Sequence, residues 1–137
     1  MTCAVIDTNV IVSAQLTRHD DAATRKIVKA VFDRRIVPVV APAIFAEYRE
    51  VLSRPAFGIF PEVVDAILGF FASFGRNVNP IPCKETLPDE KDRVFIESAL
   101  AAGEPDGKCW LVTGNLKHFP ALDFVVSPAY FCEIAGL

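Results

Sequence analysis

Apolar positions in this chain follow two rhythms that alternate along its length. Short β-branched runs at residues 36–41, 108–113 and 124–126 read as strands buried on both faces. The opening run, residues 5–12, starts as a strand and runs on into a helix. Between them the apolar side chains recur three and four residues apart, the spacing of a helix with one face on a core. Residues 20–35 put Ala22, Ile27, Val28, Val31 and Phe32 on one side. Pro42–Leu52 opens on a proline suited to a first helical turn, and Pro61–Phe74 does the same before stopping at Gly75. A further helix opens at Pro88-Asp89-Glu90, runs to Ala102 and ends at Gly103, and residues 128–134 form a last short one. Residues 78–81, crowded by Pro80 and Pro82, are a weak strand or an extended linker. Strands separated by such helices imply βαβ units and a mainly parallel sheet. No repeat, low-complexity tract or linker divides the chain, so residues 1–137 read as one α/β domain.

One helix departs from the one-sided pattern. In Pro61–Phe74 the apolar residues, Val63, Val64, Ile67, Phe70, Phe71 and Phe74 among them, run nearly all the way round. Such a helix is either deep in the core or covered by a partner.

Composition narrows the class. With 52% hydrophobic residues the chain can build a proper core, yet no apolar run reaches the roughly 18 residues needed to span a bilayer. Asp7 interrupts the only N-terminal stretch that could serve as a secretion signal, which points to a cytoplasmic protein. The four cysteines (Cys3, Cys83, Cys109, Cys132) form no C-x-x-C pair and have no histidine at ligand spacing, so they suit free thiols in a reducing compartment. A net charge of −3 gives no general attraction to nucleic acid, so any such role must rest on a local basic patch or on metal ions.

Three acids break the solvated-face pattern. Asp7 sits in or at the end of a buried strand, where an ionised carboxylate is costly unless solvated, paired or bound to a cation. In an open α/β sheet that strand end is also where ligands bind. Asp92 stands in line with Phe95, Ile96 and Ala99, aimed at the core from the first turn of its helix. It is a partner of the helix dipole or a ligand, and the ligand reading is favoured. Glu47 lies at the edge of the buried face of its helix, as a half-exposed glutamate would. Asp89, directly after Pro88, is better explained as a helix cap. Asn115 and Thr113 occupy the turn and strand end after Leu111-Val112, positions that require no function. His19 and His118 have no carboxylate or cysteine at a spacing that suggests a triad or zinc site, and nucleotide-cradling and nucleophile-elbow loops are absent.

Taken in order, V-I-D-T-N-V at Asp7, F-A-E-Y-R-E-V-L at Glu47, P-D-E-K-D-R-V-F-I-E-S-A-L at Asp92, L-V-T-G-N at Asn115 and the closing S-P-A-Y-F resemble a PIN domain. Within that family the chain is most similar to compact single-domain prokaryotic toxins of type II toxin–antitoxin pairs, the VapC-like members. The resemblance implies a three-layer α/β/α sandwich with a mainly parallel central sheet. It also implies a ribonuclease dependent on Mg²⁺ or Mn²⁺, with Asp7, Glu47 and Asp92 as metal-binding acids. Thr8 or Asn9 would orient Asp7, Thr113 would support the site, and Asn115 would assist catalysis where the family often has an aspartate. Carboxylates with an amide are a plausible first shell for these hard cations, and two cations about 4 Å apart can activate water and relieve phosphate charge. RNA would be the substrate, with Arg93 and Lys117 as the candidate phosphate contacts. Arg18, Arg25, Lys26 and His118 could also flank the site. A cognate antitoxin and a second copy of the chain would be the partners, with Pro61–Phe74 as the candidate surface. Two other readings remain: a PIN-fold binding module that no longer cleaves, and a phosphoryl-transfer domain with Asp7 as nucleophile.

Overall fold

A computed structural model describes residues 1–103 and 107–137. Five strands form one sheet in the order β3-β2-β1-β4-β5, every neighbouring pair parallel. They are β1 (Cys3–Ile6), β2 (Val37–Val40), β3 (Arg76–Asn77), β4 (Trp110–Val112) and β5 (Val125–Val126). The helices are α1 (Thr8–Leu16), α2 (Ala23–Phe32), α3 (Pro42–Leu52), α4 (Pro61–Phe74), α5 (Arg93–Gly103) and α6 (Pro128–Ala135). Helix α5 packs against β1, β2 and β4, α4 packs against β2, and α2 packs against both α1 and α6. The result is a three-layer α/β/α arrangement. Its core is built on Ile6, Tyr48, Phe71, Phe95, Leu111 and Phe131, all fully buried.

Element ends follow local chemistry. The opening strand is shorter than its apolar run. Asp7 N–H still bonds Val112 O at 2.9 Å, but Asp7 O already accepts from Val10 N at 3.0 Å, so α1 begins one residue later. Both proline-initiated helices keep the ends their sequences mark. Gly75 is required at the end of α4, because a Cβ there would lie 2.3 Å from Phe71 O and 2.7 Å from Pro38 O. The segment 78–81 adds no strand of its own. The third strand lies just before it as Arg76–Asn77, since Pro80 and Pro82 have no N–H for a ladder. The helix expected from Pro88 onward is divided into a 3₁₀ turn, Glu90–Asp92, and α5. Asp89 caps that turn, accepting from Lys91 N at 2.9 Å.

Two apolar expectations change. Phe32, placed on the buried side of its helix by spacing, is 38% exposed and stacks on Phe70 with ring centroids 4.8 Å apart. Helix α4 is not apolar to its environment all round. Val64, Ile67, Leu68 and Phe71 are buried, while Asp65, Ala66, Gly69 and Ala72 face outward. Among the described residues no helix is long and apolar enough to cross a membrane.

Candidate metal centre

Strand β1 lies between β2 and β4, and the chain leaves it toward opposite edges of the sheet in its two halves. This switch point is where open α/β sheets form crevices at the carboxyl ends of their strands. Asp7 follows β1 directly and Thr113 follows β4, so the pairing of Ile6 with Val112 sets the two side by side. Asp7 is only 6% exposed. Its Oδ2 accepts from Thr113 Oγ1 at 2.8 Å and from Asn9 Nδ2 at 3.2 Å. Both donors are tied in turn to the loop after β4. Asn115 N donates to Thr113 Oγ1 at 3.0 Å, and Gly114 N donates to Asn9 Oδ1 at 3.0 Å.

Helix α3 brings Glu47 to the same edge. Tyr48, the next residue, is fully buried, and its hydroxyl donates to Ile6 O at the end of β1. That bond fixes the turn of α3 that carries Glu47. Thr8 Oγ1 donates to Glu47 Oε2. Of the two residues expected to orient Asp7, Asn9 does so, while the Thr8 side chain holds Glu47 instead. Asp92 ends the 3₁₀ turn before α5, with its N–H on Asp89 O at 3.1 Å and its side chain 16% exposed.

Electrostatics show that these carboxylates share one neighbourhood. Burial pushes the Asp7 carboxyl up to about 6; the Thr113 hydrogen bond opposes this, and the charges of Asp92 and Glu47 add to it. Asp92 is raised by burial and by Asp89 and Glu47, with His118 opposing. The Tyr48 hydroxyl is raised well above its usual range by burial, with Asp7 and Glu47 contributing. Among the described residues, no lysine or arginine pairs with Asp7, Glu47 or Asp92. Among the described residues the one basic side chain within 4 Å of any of them is His118, whose Nδ1 lies 3.7 Å from Asp92 Oδ2. No partner for this histidine is legible in the chain, because nothing in local spacing marks a contact between a helix start and the turn after β4.

Other expected site residues fall at the margin. Asn115 is exposed and its side chain caps nothing, although its backbone is anchored through Thr113. Lys117 is exposed in the 3₁₀ turn Leu116–His118. Arg93 is committed to structure. Its guanidinium donates to Cys83 O at 2.7 Å and Glu85 O at 2.8 Å, and forks onto Glu90 at 2.6 and 2.9 Å. It therefore clasps the 83–85 segment to the start of α5.

The donor set is all oxygen: carboxylates, a threonine hydroxyl and an exposed amide. That suits hard cations such as Mg²⁺ and Mn²⁺ and not zinc, which favours nitrogen and sulfur. Among the described residues no three His, Cys, Asp or Glu side chains already stand at ligating distance from one point. Asp7, Glu47 and Asp92 thus surround a negative, partly desolvated edge without closing on a single ion position. The family model described as PIN domain matches residues 3–117. No curated protein and no solved structure matches the chain.

Proposed function

The chain belongs to the PIN domain family, a nuclease-type fold, and we propose that it is a divalent-metal-dependent endoribonuclease. The observation that carries this reading is Asp7, a buried carboxylate with two further acids near it and, among the described residues, no lysine or arginine paired to any of them. A buried charge of this kind is retained where a cation completes the site. Asp7, Glu47 and Asp92 would hold Mg²⁺ or Mn²⁺. Bound there, the metal would supply positive charge at the scissile phosphate and a more acidic water.

The protein's own groups prepare the site. Asp7 Oδ2 takes both side-chain donors, Thr113 and Asn9, so Oδ1 keeps a fixed direction for a ligand. Glu47 is held by Thr8 through Oε2, leaving Oε1. Asn115 stands on a backbone anchored to Thr113 and offers an amide oxygen without charge, a weaker ligand for a second cation than an aspartate. In this proposal residues 1–137 act as one cytoplasmic domain, the toxin of a type II toxin–antitoxin pair. A cognate antitoxin covers the acidic edge, and α4 (Pro61–Phe74) is the candidate surface for a homodimer or for the antitoxin.

Purified protein incubated with single-stranded RNA and Mn²⁺ tests the activity. Cleavage is expected from wild type and lost in Asp7→Asn and Asp92→Asn, and equal residual activity in all of them refutes the enzyme. The neutral Asn115, where the family often has an aspartate, favours one second reading, a PIN-fold module that binds RNA or protein without cleaving. Binding of RNA without cleavage at any Mn²⁺ concentration would establish it.

A further inference from the structure

The carboxylates lie between two flanks of opposite character. One is a groove of about 700 Å³ between α3 and the start of α5. Glu47, Glu50, Glu90 and Glu97 line it. Two of its three cations are already engaged: Arg54 forks onto Glu50 at 2.9 and 3.1 Å, and Arg93 is held by Glu90 and two carbonyls. Only Lys91 is left without an ion pair among the described residues. A polyanion entering this groove meets acids first, and it gains an arginine only by breaking an existing bridge.

The other flank is the turn Leu116–His118, reached from Asp7 through Thr113 and Asn115. It carries no acid of its own. Lys117 is exposed and, among the described residues, in no ion pair. His118 turns Nδ1 toward Asp92 at 3.7 Å, yet its side chain is 53% exposed, so the rest of the ring is open beside the reacting edge. Phosphate contacts of this kind position a strand and supply most of its affinity.

We propose that the RNA backbone leaves the carboxylates over Leu116–His118, with His118 and Lys117 as its phosphate contacts, and not through the acid-lined groove between α3 and α5. This rests on the ribonuclease reading and adds to it a direction for the strand and a positioning role for His118. The exposed part of the His118 ring meets the phosphate beside Asp92, and Lys117 meets the backbone beyond it.

Anisotropy of a short fluorescein-labelled single-stranded RNA tests this, with Ca²⁺ in place of Mg²⁺ to prevent cleavage and a potassium chloride series to read the ionic contacts. Lys117→Gln and His118→Gln are each expected to weaken binding roughly three- to tenfold. Lys117→Gln should also lower the slope of log affinity against log salt by about 0.7, as loss of one contact to a single strand does. Lys91→Gln should leave affinity and slope unchanged. Wild-type binding by Lys117→Gln or His118→Gln overturns the role of that residue, and a loss in Lys91→Gln equal to that in Lys117→Gln overturns the choice of flank. If wild type binds no RNA at all, the ribonuclease reading itself fails, and this inference falls with it.

Discussion

Replacing Asp7 by asparagine should make the metal-free protein more stable while abolishing its chemistry. Burial with Asp92 and Glu47 nearby raises the Asp7 carboxyl from 3.8 to about 6, so ionising it in the folded state is harder than in the unfolded chain. The folded protein therefore holds the proton more tightly, and wild type loses stability as pH rises from about 4 to about 6. At 1.36 kcal/mol per pH unit of displacement, that loss is about 3 kcal/mol once Asp7 is fully ionised. Asparagine is nearly isosteric and its oxygen can accept from Thr113 and Asn9, so it keeps the hydrogen bonds and removes the charge. Thermal melts in EDTA should show the variant equal to wild type below about pH 4. The gap should widen through about pH 6 and reach roughly 6–12 °C at neutral pH, at about 2–4 °C per kcal/mol. Mn²⁺ should then raise the wild-type midpoint and leave the variant's unchanged. A variant less stable than wild type at pH 7.5 in EDTA, or a difference that does not change with pH, refutes the argument that Asp7 is a strained charge awaiting a cation.

Three further outcomes follow from the same geometry. Thr113→Val removes a buried donor to Asp7 and the acceptor of Asn115 N; urea unfolding should show a loss of about 2 kcal/mol, and the pH at which Asp7 titrates should rise further. Tyr48→Phe strips Ile6 O of its side-chain donor where α3 meets β1, and should cost about 1–3 kcal/mol in the same measurement. Asn115→Asp adds a charge at the open rim of the site; calorimetric titration should show tighter Mn²⁺ binding than wild type, and no change would place residue 115 outside the metal's reach.

Much of the frame is legible in the chain because it rests on local chemistry. Pro42 and Pro61 set helix starts, Gly75 sets an end that no side chain could occupy, and Asp89 caps its turn as its place after Pro88 suggests. Asp92 follows the apolar stripe inward although it belongs to a 3₁₀ turn and not to α5, since that stripe continues across the junction. The partners of the acids are less legible. Thr8 and Asn9 stand together in the sequence, yet their side chains hold different carboxylates, because Thr8 faces α3 and Asn9 faces the loop after β4. The contact of His118 with Asp92 and the diversion of Arg93 to the 83–85 carbonyls depend on how separate segments meet in space, and no residue spacing encodes them.

The bond between Thr113 and Asp7 joins residues 106 apart in the chain. During synthesis at about 5–20 residues per second, Asp7 is incorporated roughly 5–20 seconds before its partner exists. Strand β1 can pair with β2 in that interval, but β4, the hydroxyl that fixes Asp7 and the turn that carries His118 all come later. Glu47 can join Asp7 early, through Thr8 and the Tyr48 bond to Ile6 O, whereas Asp92 and Thr113 arrive only with the second half of the chain. In a nascent chain Asp92 is therefore still apart from Asp7 and Glu47, and the full repulsion among the three acids arises only in the last stage of folding. On the proposed nuclease reading, the site is complete only once the second half of the sheet is in place.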